Sequence, residues 1–561
     1  MDPTTMKPAK CKRRNSPSVG ASEVDALSPK IERAILLLII LMVAVFRINL
    51  IDIPYERDEG AYIYFGQMIV QGQTPYHDFY EDKPPANMYF YALMVWIFGP
   101  NEGNMHAAFM LLNIATLLLL HALARRLFGA ASALCAATAF ATLSVSYALS
   151  GFSCMSEHIV IFFATAGMAL LLGRREEPSS WEHVLAGMVL GLSCWVKQSA
   201  IFFLMWGGAA VLLPAYHVRW ARRWRHLLWL GAGAAAVSLF FLALMAKLGV
   251  FREFWFSAVE LPRLFVTTVV APQFVKGNLA LFAGGIFRDN PLVIALAIAG
   301  LASLAFTGRP RNEKIGIWLL ALLSLLAVVP GLMFYNHYWL QVVPAAALAV
   351  GAAIAVSTKA FSRFTGTSAR AGALAVLLVF GMGKAWMIAK KRGYYFGNDY
   401  TSVLRKTYGL NPFPSSKRIG EYLRNRTQPG ERIAILGSEP QIFLYAKCRN
   451  ATRHAFTTHL VDPRNPYAAD WRREYITDVE KTAPNYVVAV NHPASWCCDG
   501  NSCKEMFAWA ENYLARFYDS VAIADIIPDE SRPRLVWDED IKGYAPKSPF
   551  TVRVFKRKTK V

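Results

Sequence analysis

Charge is scarce in this chain. Only 17% of its 561 residues are Asp, Glu, Lys or Arg, and acids are the scarcer sign, 39 against 59 bases. A soluble domain averages about 25% charge and roughly 45–50% apolar residues. Here the hydrophobic share is 55%, more apolar surface than one folded core absorbs, and lipid is the solvent that takes up the excess. Other absences narrow the function. The tail 391–561 has no GxGxxG or P-loop spacing, so nucleotide binding gets no support there. No Cys/His spacing of a zinc site occurs. No internal repeat with matching broken helices appears, the pattern expected of a secondary transporter. The net charge of +20 does not point to nucleic acid either, because much of it sits on alternate loops between apolar runs.

Those runs are the dominant feature. A span needs roughly 20 apolar residues, and the sequence predicts about eleven of them, near 33–51, 103–125, 130–149, 157–173, 181–197, 199–217, 226–247, 290–307, 315–334, 338–357 and 369–390. The basic clusters test the orientation. Lys7 to Arg33, Arg125-Arg126, Arg174-Arg175, Arg219 to Arg225, Arg309 to Lys314, and Lys359 to Arg370 all fall on one side. The positive-inside rule makes that side the cytoplasm. An odd number of spans then puts everything after 390 outside. The first 30 residues are polar and contain Ser and Pro; they read as a disordered cytoplasmic tail, too long for a signal peptide's leading region.

Three outer regions remain: the loop 52–102, the loop 248–289 and the tail 391–561. In the tail, strand-like runs such as Arg432–Leu436 and Tyr486–Val490 alternate with helix-like ones such as 417–424 and 502–517, which predicts a soluble α/β domain. It holds Cys448, Cys497, Cys498 and Cys503. An even number in an oxidising compartment predicts one or two disulfides, with a metal site as the rival reading.

The loop 52–102 carries the most chemistry. It reads Tyr55-Glu56-Arg57-Asp58-Glu59-Gly60, an aromatic amphipathic stretch to Val70, the stop Gln71-Gly72, then Pro75-Tyr76-His77-Asp78 and Glu81-Asp82-Lys83-Pro84-Pro85 before a second apolar helix over 86–98. Aromatic, half-polar helices suit the membrane interface, so the loop is expected to lie on the bilayer surface. Neighbours such as Asp58 and Glu59 diverge on a helix. One is a candidate base for an attacking hydroxyl and the other a candidate orienter, although Asp58 is equally suited to cap a helix starting near Gly60. Lys83 precedes a proline-initiated helix, where free N–H groups already attract anions; that makes it a candidate phosphate contact, or else a lysine snorkelling to the interface. Further polar residues stand at outer ends of spans: Glu157 and His158, Lys197-Gln198, and Asn336-His337-Tyr338. Ionisable groups at membrane depth usually face a cavity, though hydrogen bonds between helices account for each of them singly.

The run Arg57-Asp58-Glu59-Gly60-Ala61-Tyr62, followed by Gly72, Pro75-Tyr76, Asp78 and Lys83-Pro84-Pro85, resembles the first outer loop of the GT-C class of membrane glycosyltransferases. The resemblance is specifically to the bacterial branch related to protein O-mannosyltransferases and lipid A aminoarabinose transferases. Ser156-Glu157, Lys197-Gln198, and His337-Tyr338 with Pro344 fit the same branch. The resemblance implies an all-α polytopic GT-C domain over 31–390 and an extracytoplasmic tail domain. It also implies a bacterial inner membrane location and a sugar donor linked to polyprenyl phosphate. The acceptor would be a glycolipid, a glycan or a protein, attacking the anomeric carbon with inversion on the outer face. By position it makes Asp58 and Glu59 the catalytic acidic pair and Lys83, helped by Arg57, the donor-phosphate contacts. Glu157, His158, His337, Tyr338, Asp78 and Tyr76 would line the cavity. Some relatives use a divalent cation, but no ligand cluster in this sequence demands one. The rivals are a secondary transporter and a non-catalytic scaffold displaying the tail domain.

Overall fold

The computed structural model describes residues 27–172, 179–213, 220–269, 272–397, 399–497 and 503–559. Arg174, Arg175, Arg219, Cys498 and the expected tail as far as residue 26 lie outside them. Ser28 already caps the first helix, α1 (Pro29–Ile48), inside the stretch read as tail.

Helices follow in the order α2 (Arg57–Val70), α3 (Pro85–Phe98), α4 (Glu102–Phe128), α5 (Ala130–Leu143), α6 (Ser156–Leu172), α7 (Ser180–Val196), α8 (Ile201–Leu212) and α9 (Trp220–Lys247). Beyond them come Pro272–Asp289, Pro291–Ser303, Arg311–Leu326, Val343–Thr365 and Ala369–Lys390. A helix stands in each region read as a span. Among the described residues four are long and apolar enough to cross a membrane alone: Glu102–Phe128, Trp220–Lys247, Asn336–Thr365 and Ala369–Lys390. The pair Val275–Asp289 and Pro291–Phe306, bent by 94°, makes a fifth if it is one span. Leu228, Leu239 and Phe240 on α9, with Leu378, Val379 and Trp386 on the last of these helices, are each at least 60% exposed. Apolar surface turned outward in such bands is what lipid contact requires. Inside the bundle, small residues let the backbones meet: a Cβ on Gly187 of α7 would lie 1.9 Å from the Leu230 carbonyl oxygen of α9, and one on Gly233 would lie 2.0 Å from the Val184 oxygen. Side chains larger than hydrogen would force these helices apart.

The C-terminal part is an α/β unit. Six strands, β1 (Arg432–Leu436), β2 (Arg449–Asn450), β3 (Tyr486–Asn491), β4 (Tyr518–Asp525), β5 (Arg534–Trp537) and β6 (Thr551–Arg557), lie in the order β2-β1-β3-β6-β4-β5. β1 is parallel to β2 and β3, and β6 runs antiparallel between β3 and β4. Strand alternation divides the core as the period of two demands. Ala434, Leu436 and Val487 meet Trp471, Tyr475, Val479 and Leu514 on one face. Ile433, Ile435, Val488 and Val490 join Ile419, Leu423, Ile442 and Phe443 on the other. Cys448, Cys497 and Cys503 are free thiols, so no disulfide joins these three; the predicted bridges are absent among the described residues.

This unit sits directly on the loop 52–102. Tyr445 Oη accepts from the Tyr55 N–H at 2.7 Å, the Asn450 N–H donates to Tyr64 Oη at 2.9 Å, and Tyr64 stacks on Phe443 at 5.0 Å. A Cβ on Gly60 would come within 2.4 Å of Gln441 Cβ. The expectation that the loop lies on the bilayer surface is therefore corrected for α2, whose residues 59–66 are all buried. Of its aromatic rings, Tyr64 meets the α/β unit, Tyr62 packs on Tyr91 of α3 and Phe65 stacks on Phe79. The exposed large apolar side chains here are Val70 at the end of α2 and Leu93, Trp96 and Ile97 on α3.

Candidate active site

The α2 N-terminus is built by a capping box: Glu56 accepts from the Glu59 N–H, and Glu59 accepts from the Glu56 N–H. Glu56, not Asp58, is therefore the cap, and the capping role weighed for Asp58 does not apply. Asp58 is the second helical residue, partly exposed, with no hydrogen bond or ion pair to its carboxylate among the described residues. Its charge is felt by Tyr335, His337 and Tyr338 in the short turn Asn336–Val342 and the residue before it.

About 100° around the helix, Glu59 points the other way. It is fully buried, accepts from the Cys154 N–H at 2.7 Å, and lies 2.8 Å from His106 Nε2. His106 Nδ1 faces the Ile51 carbonyl oxygen at 2.7 Å. The Glu59, His106 and Cys154 side chains are close enough for a cation, but the 2.8 Å separation is that of a direct hydrogen bond. Glu59 thus fixes the start of α2 from behind, and its expected place beside Asp58 in the reacting centre is corrected.

Lys83, just before the Pro84 cap of α3, forms ion pairs with Asp82 and, at 3.8 Å, with Glu81. Burial alone would lower its ammonium, but the two carboxylates outweigh burial and hold it well above its usual value. Burial likewise opposes the charged form of Asp82, yet Lys83 wins and keeps that carboxyl below its ordinary range. Glu81 moves the other way, pushed up by burial. The segment is pinned from both sides: Tyr76 Oη donates to the Lys83 carbonyl at 2.8 Å, and Gln198 Nε2 donates to the Asp82 carbonyl at 2.8 Å.

Between these two segments lies a buried polar group from the bundle. Glu157, 1% exposed at the head of α6, is paired with Lys197 and lies 4.0 Å from His337 Nε2. The Lys197 ammonium stands 3.9 Å from the Tyr338 ring centre. Lys197 feels Lys83 and Asp82, and Tyr338 feels Lys83 and Asp58. Residues from five stretches of the chain are therefore brought into one cluster: Asp58, Lys83, Glu157, Lys197, and His337 with Tyr338.

Other expected cavity residues fall elsewhere. His158, one step on from Glu157, turns to the Gly151 carbonyl at 2.9 Å and packs edge-on to Phe109. Tyr76 is fully buried against Phe254; it shapes the loop. Asp78 accepts from the Thr74 N–H at 2.7 Å in an exposed turn, and it lines a separate crevice of about 540 Å³ between the loop and β1–β2. Arg57 is not free to meet a phosphate. Its guanidinium donates to Glu439 Oε1 at 2.5 Å, to the Ser438 carbonyl at 2.6 Å and to Asn411 Oδ1 at 3.3 Å. The contribution of Glu439 was missed, since nothing local marks it except its position after a predicted strand.

Comparisons with known proteins bear on the fold and the family. Residues 82–245 match the family described as dolichyl-phosphate-mannose-protein mannosyltransferase. Undecaprenyl phosphate-alpha-4-amino-4-deoxy-L-arabinose arabinosyl transferases of Pseudomonas paraeruginosa and Pseudomonas aeruginosa are 29% identical over 161 residues, which is 28% of this chain and 29% of theirs. Among solved structures, ArnT from Cupriavidus metallidurans bound to undecaprenyl phosphate superposes with a TM-score of 0.56 at 15% identity, covering 94% of this chain and 98% of that one. The archaeal oligosaccharyltransferase AglB from Archaeoglobus fulgidus gives a TM-score of 0.51 at 13% identity, over 92% and 75%. The fold is thus shared along nearly the whole chain, while the sequence match to the curated relatives takes in less than a third of their length.

Proposed function

We propose that this chain, a relative of the GT-C membrane glycosyltransferases in the branch of O-mannosyltransferases and aminoarabinose transferases, moves a sugar from a polyprenyl-phosphate donor to an extracytoplasmic acceptor hydroxyl. The observation that carries this reading is the juxtaposition of an unpartnered carboxylate, Asp58, with the cations Lys83 and Lys197 around His337 and Tyr338. In the step proposed, the acceptor oxygen attacks the anomeric carbon from the face opposite the phosphate. The new C–O bond forms as the bond to phosphate breaks, and polyprenyl phosphate leaves with the electron pair. Asp58 takes the acceptor's proton. Charge growing on the phosphate is met by a cation already in place, Lys83, with no reorganisation at the moment of reaction. The pair of carboxylates beside Lys83 keeps it charged and directed.

The proposal extends to topology: eleven spans in a bacterial inner membrane, an N-terminus in the cytoplasm, and the cluster with its α/β unit on the outer side, as the basic loops indicate. The acceptor class stays open among glycolipid, glycan and protein.

The test is direct. Purified protein in detergent, supplied with a polyprenyl-phosphate sugar and membrane extract, releases polyprenyl phosphate in proportion to sugar transferred. Accumulation of labelled solute in proteoliposomes without any transfer would replace this reading with a transporter. Lys83→Met is expected to raise the donor KM and lower kcat/KM by about a hundredfold, since a charge-assisted contact to phosphate is worth roughly 1.5–3 kcal/mol and each 1.4 kcal/mol is tenfold. An unchanged donor KM and rate in that variant would remove Lys83 from the phosphate site.

A further inference from the structure

Arg57 and Asp58 are chain neighbours with opposite charges and different partners. Every hydrogen bond of the Arg57 guanidinium goes to the C-terminal region, to Glu439, Ser438 and Asn411, and the Phe413 ring centre lies 5.6 Å beneath it. None goes to Asp58 or Glu56. The receiving loop is held firmly. Directly after β1, Gly437 turns at φ +146°, where a Cβ would strike Ser495 Oγ and Val490 at 2.8 Å. The Ser438 N–H donates to Ser495 Oγ at 2.8 Å, and Ser438 Oγ accepts from the Thr457 N–H at 2.9 Å. Glu439 is wholly buried and also accepts from Gln441 Nε2 at 2.6 Å. The carboxyl end of β1 in an open α/β sheet is where such domains place their binding loops. Here it is turned onto α2.

A guanidinium freed from Glu439 is tethered in the chain between Glu56 and Asp58, and the Asp58 charge already acts on it. An opposite charge within about 4–6 Å favours the charged form of a carboxylate by roughly 1–3 pH units. A base stabilised in that way takes a proton less readily. We propose that Glu439 is a positioning residue for the transfer reaction: it holds Arg57 off Asp58, so that the Asp58 carboxylate meets the acceptor hydroxyl without that guanidinium upon it. The inference rests on the reading of Asp58 as the base. It assigns the C-terminal unit a part in the chemistry although none of its residues need touch the reacting atoms. The other titratable groups that feel Asp58 are Glu56, Arg57 and Tyr62 on its own segment, Tyr335, His337 and Tyr338 from the opposite turn, and Cys497 from the C-terminal unit. Lys83 and Lys197 stand in the same cluster but are held by Asp82, Glu81 and Glu157, and Arg57 is the cation nearest to Asp58 in sequence.

The experiment follows polyprenyl phosphate release by the full-length protein across pH, in wild type, Glu439→Gln and the double variant Arg57→Gln/Glu439→Gln. Glutamine keeps the size of Glu439 and its bond to Gln441 but gives up the ion pair. In the single variant kcat falls about tenfold, the donor KM stays near wild type, and the acidic limb of the pH–rate profile moves down by about one unit. In the double variant no guanidinium remains to fold onto Asp58, and the acidic limb returns to its wild-type position. A limb that stays in place in the single variant, or a double variant as displaced as the single one, overturns the inference: Glu439 would then only fasten the domain to the loop. An active wild type with an unmoved limb sinks this inference alone, whereas a wild type that releases no polyprenyl phosphate takes the proposed function with it.

Discussion

Asp58→Asn lowers the rate of polyprenyl phosphate release by about a hundred- to ten-thousand-fold, the range a positioned general base supplies, while the protein folds and melts as wild type does. The two halves of that result come from the same observation. Asp58 has no hydrogen-bond or ion-pair partner among the described residues, and Glu56 rather than Asp58 caps α2. Removing its charge therefore breaks nothing that holds the fold, and substitutions of that kind usually stay within about 0.5 kcal/mol in stability. Catalysis is different, because the amide cannot accept the acceptor's proton. A paired measurement of release rate and thermal unfolding in detergent tests both halves. Full activity in Asp58→Asn sinks the proposed base, and a large loss of stability shows that the carboxylate has a structural task the geometry does not reveal.

The same contrast explains how far the sequence could be read. That Asp58, Lys83, Glu157, His337 and Tyr338 lie together was legible because span ends leave few places for an ionisable side chain, and because the loop run Arg57–Lys83 resembles a known arrangement. The strands Arg432–Leu436 and Tyr486–Asn491 were legible from alternation. What misled was adjacency. Glu59 beside Asp58 and His158 beside Glu157 each turn about 100° away along their helix, toward His106 and Gly151. A linear motif does not say which of two neighbours faces the cluster, and the first residue of each pair does so here. Arg57 was misread for a different reason. Its partner Glu439 lies 382 positions further on, a pairing fixed only by how the α/β unit docks, and docking leaves no local trace in either segment. The same holds for the burial of α2: its tyrosines suit a lipid interface and a protein interface equally well in sequence.

Lys197→Ala is expected to destabilise the protein by about 3–5 kcal/mol, the cost of leaving one member of a buried ion pair without its partner. Glu157 is 1% exposed, and His337 at 4.0 Å is its other basic neighbour. Truncation also empties the space over the Tyr338 ring, where the ammonium stands at 3.9 Å. Denaturant unfolding in mixed micelles measures the loss. A value below about 1 kcal/mol, typical of solvated surface pairs, means that water reaches Glu157 and the pair is not structural. The double replacement Glu157→Gln/Lys197→Met separates architecture from chemistry. Exchanging both charges for neutral groups of similar size is often near neutral for stability, so most of the loss seen in Lys197→Ala is recovered. The rate is not recovered, because the Lys197 charge beside Tyr338 and Lys83 disappears with the pair. If stability and rate return together, the pair only braces α6 against the turn at His337, and the cations that matter to the departing phosphate reduce to Lys83.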